Sequence, residues 1–195
     1  GEHRKPLIVL GARQVGKTWL IQEFGRQEYK QTVYVNFEKM KVVRNLFEED
    51  FDIQRILTSL SVFAKSAITP DNTLIVFDEI QAATGGLTML KYFCEDAPQY
   101  HVIAAGSLLG MSLHQNTSFP VGKVDFLYLN PLSFLEFLIA LGEERLAEML
   151  VNPDWKIVTL FKDKLLNYLR YYLFIGGMPE VVSHFVTHRD FRIAR

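Results

Sequence analysis

Up to Pro131 the chain alternates short apolar runs with helix-length amphipathic stretches. The runs are Leu7 to Leu10, Thr32 to Phe37, Thr73 to Phe77, His101 to Ala105 and Val124 to Leu129. They are mostly continuous rather than alternating, the pattern of strands in a parallel sheet covered on both faces. Between them, Thr18 to Arg26, a long segment from about Val43 to Lys65, and Leu87 to Glu95 carry apolar residues at helical spacing, such as Ile53, Ile56, Leu57 and Leu60. Pro70-Asp71-Asn72, Gly85-Gly86 and Ala97-Pro98 punctuate the joins. The pattern predicts an α/β fold, a five-stranded parallel sheet with helices on both faces.

After Pro131 the remainder reads as helices. Ser133 and Glu136 form a capping-box signature before a Phe/Leu face that ends near Leu141. Glu143 to Val151 follows, broken by Asn152-Pro153. Trp155 to Ile175 is broken by Gly176-Gly177-Met178-Pro179, and Glu180 to Arg195 starts another helix. The expected division lies near Gly142, with an α/β core over residues 1–142 and a helical appendage over 143–195. A chain of 195 residues has room for one substantial core and a small appendage.

Composition adds little about partners. A formal net charge of −1 gives no global attraction to nucleic acid or anionic lipid, and leaves nucleic acid undecided. The lone Cys94 has no intrachain disulfide partner, which suits a reducing compartment. No long apolar run or signal-peptide pattern is present, so a cytoplasmic protein without a membrane span is expected. The 15 Phe residues predict either a Phe-rich core or a surface covered by a partner.

The chemistry enters at Gly11-Ala12-Arg13-Gln14-Val15-Gly16-Lys17-Thr18, placed between the first strand and the first helix. This is the G-x-x-x-x-G-K-[ST] pattern of a phosphate-binding P-loop in its strand-to-helix context. A loop that wraps phosphates turns its N–H groups inward, and Gly11 and Gly16 supply the freedom to do so. Lys17 would reach the β- and γ-phosphates, Thr18 would put its hydroxyl on Mg²⁺, and the helix would aim its positive end at the anion.

A second stretch, Thr73-Leu74-Ile75-Val76-Phe77-Asp78-Glu79-Ile80-Gln81, ends an apolar strand in two carboxylates. Ligands of open α/β sheets lie outside the carboxyl ends of the strands. Asp78 is therefore expected to hold Mg²⁺, and Glu79 to polarise water for attack on the γ-phosphorus. A third, Val102 to Ser107, ends the fourth strand in a hydroxyl. Ser107 either contacts the γ-phosphate or attacking water, or caps a helix over Leu108 to Leu113.

Together with Phe119-Pro120-Val121-Gly122-Lys123, Leu129 to Phe137 and Gly176-Gly177-Met178-Pro179-Glu180, these motifs resemble the bacterial and archaeal AAA-type ATPases that carry a C-terminal restriction-endonuclease-like domain. The resemblance covers nearly the whole chain. It implies a P-loop NTPase with the catalytic strand inserted between the P-loop strand and the second strand. It also implies a small helical lid whose Gly177 to Pro179 turn lies near adenine. Lys123 stands where that family usually has Arg, which exchanges a planar fork for a point charge. The chain ends at Arg195, before the implied C-terminal domain, so a fragment without its effector part is expected.

No Asn/Thr-Lys-x-Asp guanine-reading stretch occurs, which favours ATP over GTP. Thr18 and Asp78 are the expected Mg²⁺ ligands, and His184 and His188 at i, i+4 lack a third ligand for zinc. The expected function is ATP hydrolysis driving a switch or the remodelling of a partner. Alternatives are a nucleotide-dependent interaction module with negligible hydrolysis, and a small-molecule kinase. Arg13, Arg170 and Arg189 are candidates for an arginine finger, and a homo-oligomer stays open.

Overall fold

The computed structural model describes residues 4–40, 43, 44, 47, 51–107, 120 and 122–191. It divides into two compact units, the first ending at Leu129 and the second beginning at Asn130. The first unit runs β1 (Leu7–Leu10), α1 (Lys17–Glu28), β2 (Gln31–Asn36), α2 (Ile53–Ala64) and β3 (Thr73–Asp78). A 3₁₀ turn (Ile80–Ala82), α3 (Gly86–Asp96), β4 (His101–Ala105) and β5 (Asp125–Tyr128) complete it. The helix expected over Leu108 to Leu113 lies outside the described residues, as does most of 41–50.

All strand pairs are parallel, in the order β2-β3-β4-β1-β5, so β3 and β4 lie between the P-loop strand and β2. Register aligns Asn36 with Asp78 and Asp78 with Ala105. The polar strand ends thus meet at one edge of the sheet, where parallel α/β folds place their ligands.

The two-residue strand period sorts the side chains onto two cores. On one face Val9, Val76 and Ile103 pack with Ile21 of α1. On the other, Ile8, Val35, Ile75 and Phe77 pack with Ile56 and Leu60 of α2 and Met89 and Phe93 of α3. Phe47 lies 5.5 Å from Phe37 and 5.7 Å from Phe77, ring centre to ring centre, and Phe93 lies 5.9 Å from Phe77. Part of the Phe content is therefore core, while Phe24, Phe63 and Phe174 are exposed. Coverage fails at β5, whose four residues are all exposed. Among the described residues it is an edge strand, paired with β1.

The second unit holds α4 (Phe134–Ala140), α5 (Glu144–Val151), α6 (Trp155–Leu160), α7 (Lys162–Ile175) and α8 (Pro179–His188). Ser133 and Glu136 close the expected capping box on α4. The compact units part before α4 rather than near Gly142, because both sides of α4 are used by later helices. Leu138 packs with Leu146, Ala147 and Leu165, and Phe137 packs with Ile175, Val182 and Phe185. The single helix expected over Trp155 to Ile175 is two: Asp154 caps the first, and Phe161 N–H turns back to Val158 O at 3.1 Å, the tighter hydrogen bond of a 3₁₀ end. The last helix stops at His188, where Arg189 adopts a left-handed conformation, φ 55°.

One pH effect follows from the sheet. Burial, with help from Arg4, holds the His101 imidazole below its ordinary pKa, while Asp71 opposes this, and His101 Nδ1 shares a hydrogen bond with the Tyr29 hydroxyl. A depressed folded-state pKa means that the unfolded chain binds the proton first. Stability is therefore present above about pH 6.5 and is lost as pH falls through the folded value. Between pH 7.5 and 5.5 the urea midpoint should drop more in the parent than in His101→Phe. Equal drops would remove His101 from the account.

Candidate functional site

The loop between β1 and α1 is held by its glycines. A Cβ on Gly11 would lie 2.2 Å from the Leu129 carbonyl oxygen and 3.0 Å from Val15 Cγ1, so the backbone is closed against its neighbour there. Gly16, φ 96°, is the N-cap of α1 and supplies no side-chain cap, and Gln14 is also left-handed, φ 65°. Successive turns of this kind point N–H groups into a concavity, and an uncapped helix start adds its own unpaired donors. Ala12, Arg13 and Gln14 are exposed, while Val15, 3% exposed, anchors the loop. Gly11→Ala is expected to lower Tm by several degrees through overpacking of about 1–3 kcal/mol and to weaken nucleotide binding. An unchanged melting curve would show that the Leu129 carbonyl does not constrain the loop.

Lys17 is buried, and its ammonium folds back onto the loop, donating to Gly11 O at 2.8 Å and Ala12 O at 2.7 Å. Burial lowers its pKa, and the Glu79 and Asp78 carboxylates oppose that fall. A buried cation whose hydrogen bonds among the described residues go to neutral carbonyls is poised for an anion, because a phosphate would supply the charge those carbonyls lack.

Asp78, at the end of β3, is 3% exposed. Thr18 Oγ1 donates to its Oδ2 at 2.9 Å, joining the two sequence motifs across the fold. The Tyr34 hydroxyl donates to the same oxygen, Asn36 Nδ2 reaches it at 3.4 Å, and Glu79 N donates to Oδ1 at 3.0 Å. Burial, followed by the Asp78 bond, pushes the Tyr34 phenol up to about 12. Tyr34 and Asn36 were not singled out by motif. The signal open to sequence was a polar residue, Asn36, inside the apolar run Thr32 to Phe37, with Tyr34 two residues earlier on the same face.

Glu79 has a left-handed backbone, φ 51° and ψ 46°. Ser107 N and Oγ donate to its Oε2 at 3.2 and 3.3 Å, and Gln81 Nε2 donates to the same atom at 2.5 Å. The register of β3 against β4 explains the approach, since Ser107 follows two residues after Ala105, the partner of Asp78. The structure thus brings Lys17, Thr18 and Asp78 together, and Ser107 onto Glu79.

Gly177 and Pro179 belong to the second unit. Leu132 N donates to Gly177 O at 2.7 Å, and a Cβ on Gly177 would lie 2.1 Å from Leu132 O, so the Pro-Leu-Ser and Gly-Gly-Met-Pro motifs interlock. Pro179 opens α8 at its first turn. Lys123 Nζ pairs with Glu95 at 2.8 Å, both side chains partly exposed. Of the candidate fingers, Arg13 is exposed, Arg170 reaches Asn167 at 3.2 Å, and Arg189 lies over the Phe185 ring. Among the described residues no cluster of three His, Cys, Asp or Glu could hold a metal, and no helix is long and apolar enough to cross a membrane.

Residues 3–138 match the family model described as an AAA domain. The chain belongs to the AAA domain family. This AAA domain is 24% identical over 176 residues to the uncharacterized protein MJ1544 of Methanocaldococcus jannaschii, a match covering 89% of this chain and 35% of that one. The chain thus spans about a third of that relative's length. In fold it is similar to the Walker-type ATPase PABY2304 of Pyrococcus abyssi, with a TM-score of 0.55 at 18% identity over 97% of this chain and 65% of that one. It is also similar to PCH-2 of C. elegans, with a TM-score of 0.52 at 14% identity over 93% and 53% of the two chains.

Proposed function

We propose that this AAA domain binds ATP with Mg²⁺ and hydrolyses it, using the cycle to switch or remodel a partner. The observation that carries the reading is the bond from Thr18 Oγ1 to Asp78 Oδ2, which ties a phosphate-type loop to a buried carboxylate at the carboxyl end of β3. In the proposed site the Gly11 to Thr18 backbone and Lys17 bind the phosphates. The donor set fits Mg²⁺, since Thr18 and Asp78 offer hard oxygen atoms and this ion takes few protein ligands beside phosphates and water. Bound there by Thr18 and Asp78, Mg²⁺ would neutralise charge on the phosphates. Glu79 takes the proton of the attacking water. Ser107, beside it, senses the γ-phosphate.

A second reading is supported by the bonds from Ser107 and Gln81 to Glu79, which occupy one oxygen of the base. In that reading the domain is a nucleotide-dependent interaction module with negligible turnover. The much longer Methanocaldococcus relative supports a further domain as the responding partner in either case. Calorimetric titration separates the core claim from its rivals. ATP is expected to bind at least tenfold more tightly with Mg²⁺ than with EDTA, and more tightly than GTP. Equal affinity with and without the metal would remove Thr18 and Asp78 as its ligands.

A further inference from the structure

The turn after β3 contains two locally unfavourable features that converge on one carboxylate. Glu79 adopts a left-handed conformation that is unfavourable for a non-glycine residue. It is held there by Ala82 N donating to Glu79 O at 2.9 Å and by Ile80, which is fully buried. Two residues on, Gln81 donates its amide N–H to Glu79 Oε2 at 2.5 Å. The carbonyl oxygen of the same amide, Oε1, is buried without a hydrogen-bond partner among the described residues.

A buried carbonyl left unpaired gives up its hydration with no hydrogen bond in return, which is unfavourable. Turning the amide over would not relieve it, because the carbonyl would then face the carboxylate oxygen. The orientation is therefore set by Glu79. A side chain present only to fill this space would be more stable as methionine or leucine, which bring no polar atom into it. Strain and an unpaired polar atom in one turn are expected where structure serves a site rather than stability.

We propose that Gln81 is a positioning residue for Glu79, a role that rests on the reading of Glu79 as the base for ATP hydrolysis. Gln81 Nε2 and Ser107 N and Oγ all donate to Oε2. That leaves Oε1 of Glu79, which receives no hydrogen bond among the described residues, to accept the proton of water. Ser107 lies on a different strand end and, in the proposed cycle, also answers to the γ-phosphate. Gln81 shares its short turn with Glu79 and holds the carboxylate whichever contact Ser107 makes.

The test compares the parent, Gln81→Met, Gln81→Leu and Glu79→Gln in single-turnover phosphate release from ATP with excess protein, alongside ATP affinity and Tm. Gln81→Met keeps the length of the side chain and removes the amide; Gln81→Leu serves if Met packs badly. The expected result is a rate about tenfold to a hundredfold below the parent, ATP affinity within twofold, and a Tm equal to or above the parent's. A purely structural glutamine predicts the opposite pairing, with Tm lowered and the rate per folded molecule unchanged. Parental rates in both Gln81 variants, with Glu79→Gln inactive, would overturn the positioning role and leave the base intact. Parental hydrolysis by Glu79→Gln, or none by the parent, would overturn the base reading and this inference with it.

Discussion

Lys17→Ala is expected to reduce ATP affinity at least a hundredfold, taking binding out of reach of an ordinary titration. The ammonium is buried and is held by two loop carbonyls at 2.7 and 2.8 Å. In the proposed complex those hydrogen bonds give way to charged ones with two phosphates. Each charge-assisted bond contributes about 1.5–3 kcal/mol, so losing two corresponds to roughly two to four powers of ten in affinity. The fold should survive, because burial already disfavours the charged form of Lys17 and its removal relieves a desolvation cost. A melting curve at or above the parental Tm together with lost binding is the predicted pair. Retained ATP affinity would mean that the loop backbone binds phosphate without its lysine.

Glu79→Gln is expected to keep ATP affinity within a few-fold and to lower the hydrolysis rate by about 10² to 10⁴, the range associated with a positioned general base. The amide matches the carboxylate in shape but cannot take a proton from water. Ser107 N–H can still donate to the amide oxygen, so the turn is expected to stay in place. Trapping labelled ATP on the variant after a long incubation measures both halves of this prediction. Recovery of ADP at the parental rate would assign the base elsewhere.

The motifs and the order of elements were legible because each has a local cause. Gly11, Gly16, Lys17 and Thr18 announce a loop by spacing, Asp78 and Glu79 by ending an apolar run, and Ser133 with Glu136 by the capping box observed on α4. What sequence spacing does not carry is register. Asn36 meets Asp78 because β2 and β3 pair level at that residue, and Ser107 meets Glu79 because β4 pairs with β3. Gln81 was part of a quoted stretch, but its contact with Glu79 needs a left-handed backbone at a glutamate, which no composition rule predicts. The exposed β5 follows from a position at the sheet edge, and a continuous apolar run reads the same at an edge as at the centre. Lys123 was noted only as standing where the resembling family has Arg, and its ion pair with Glu95 depends on a fold contact that spacing does not show.

The measurement that bears most directly on the account is single-turnover phosphate release by this chain from ATP and from GTP, each with Mg²⁺ and with EDTA. Release from ATP is expected to require Mg²⁺ and to exceed release from GTP. Release that is indifferent to the metal, or absent with ATP bound and Mg²⁺ present, would contradict a self-sufficient ATPase built on Thr18, Asp78 and Glu79.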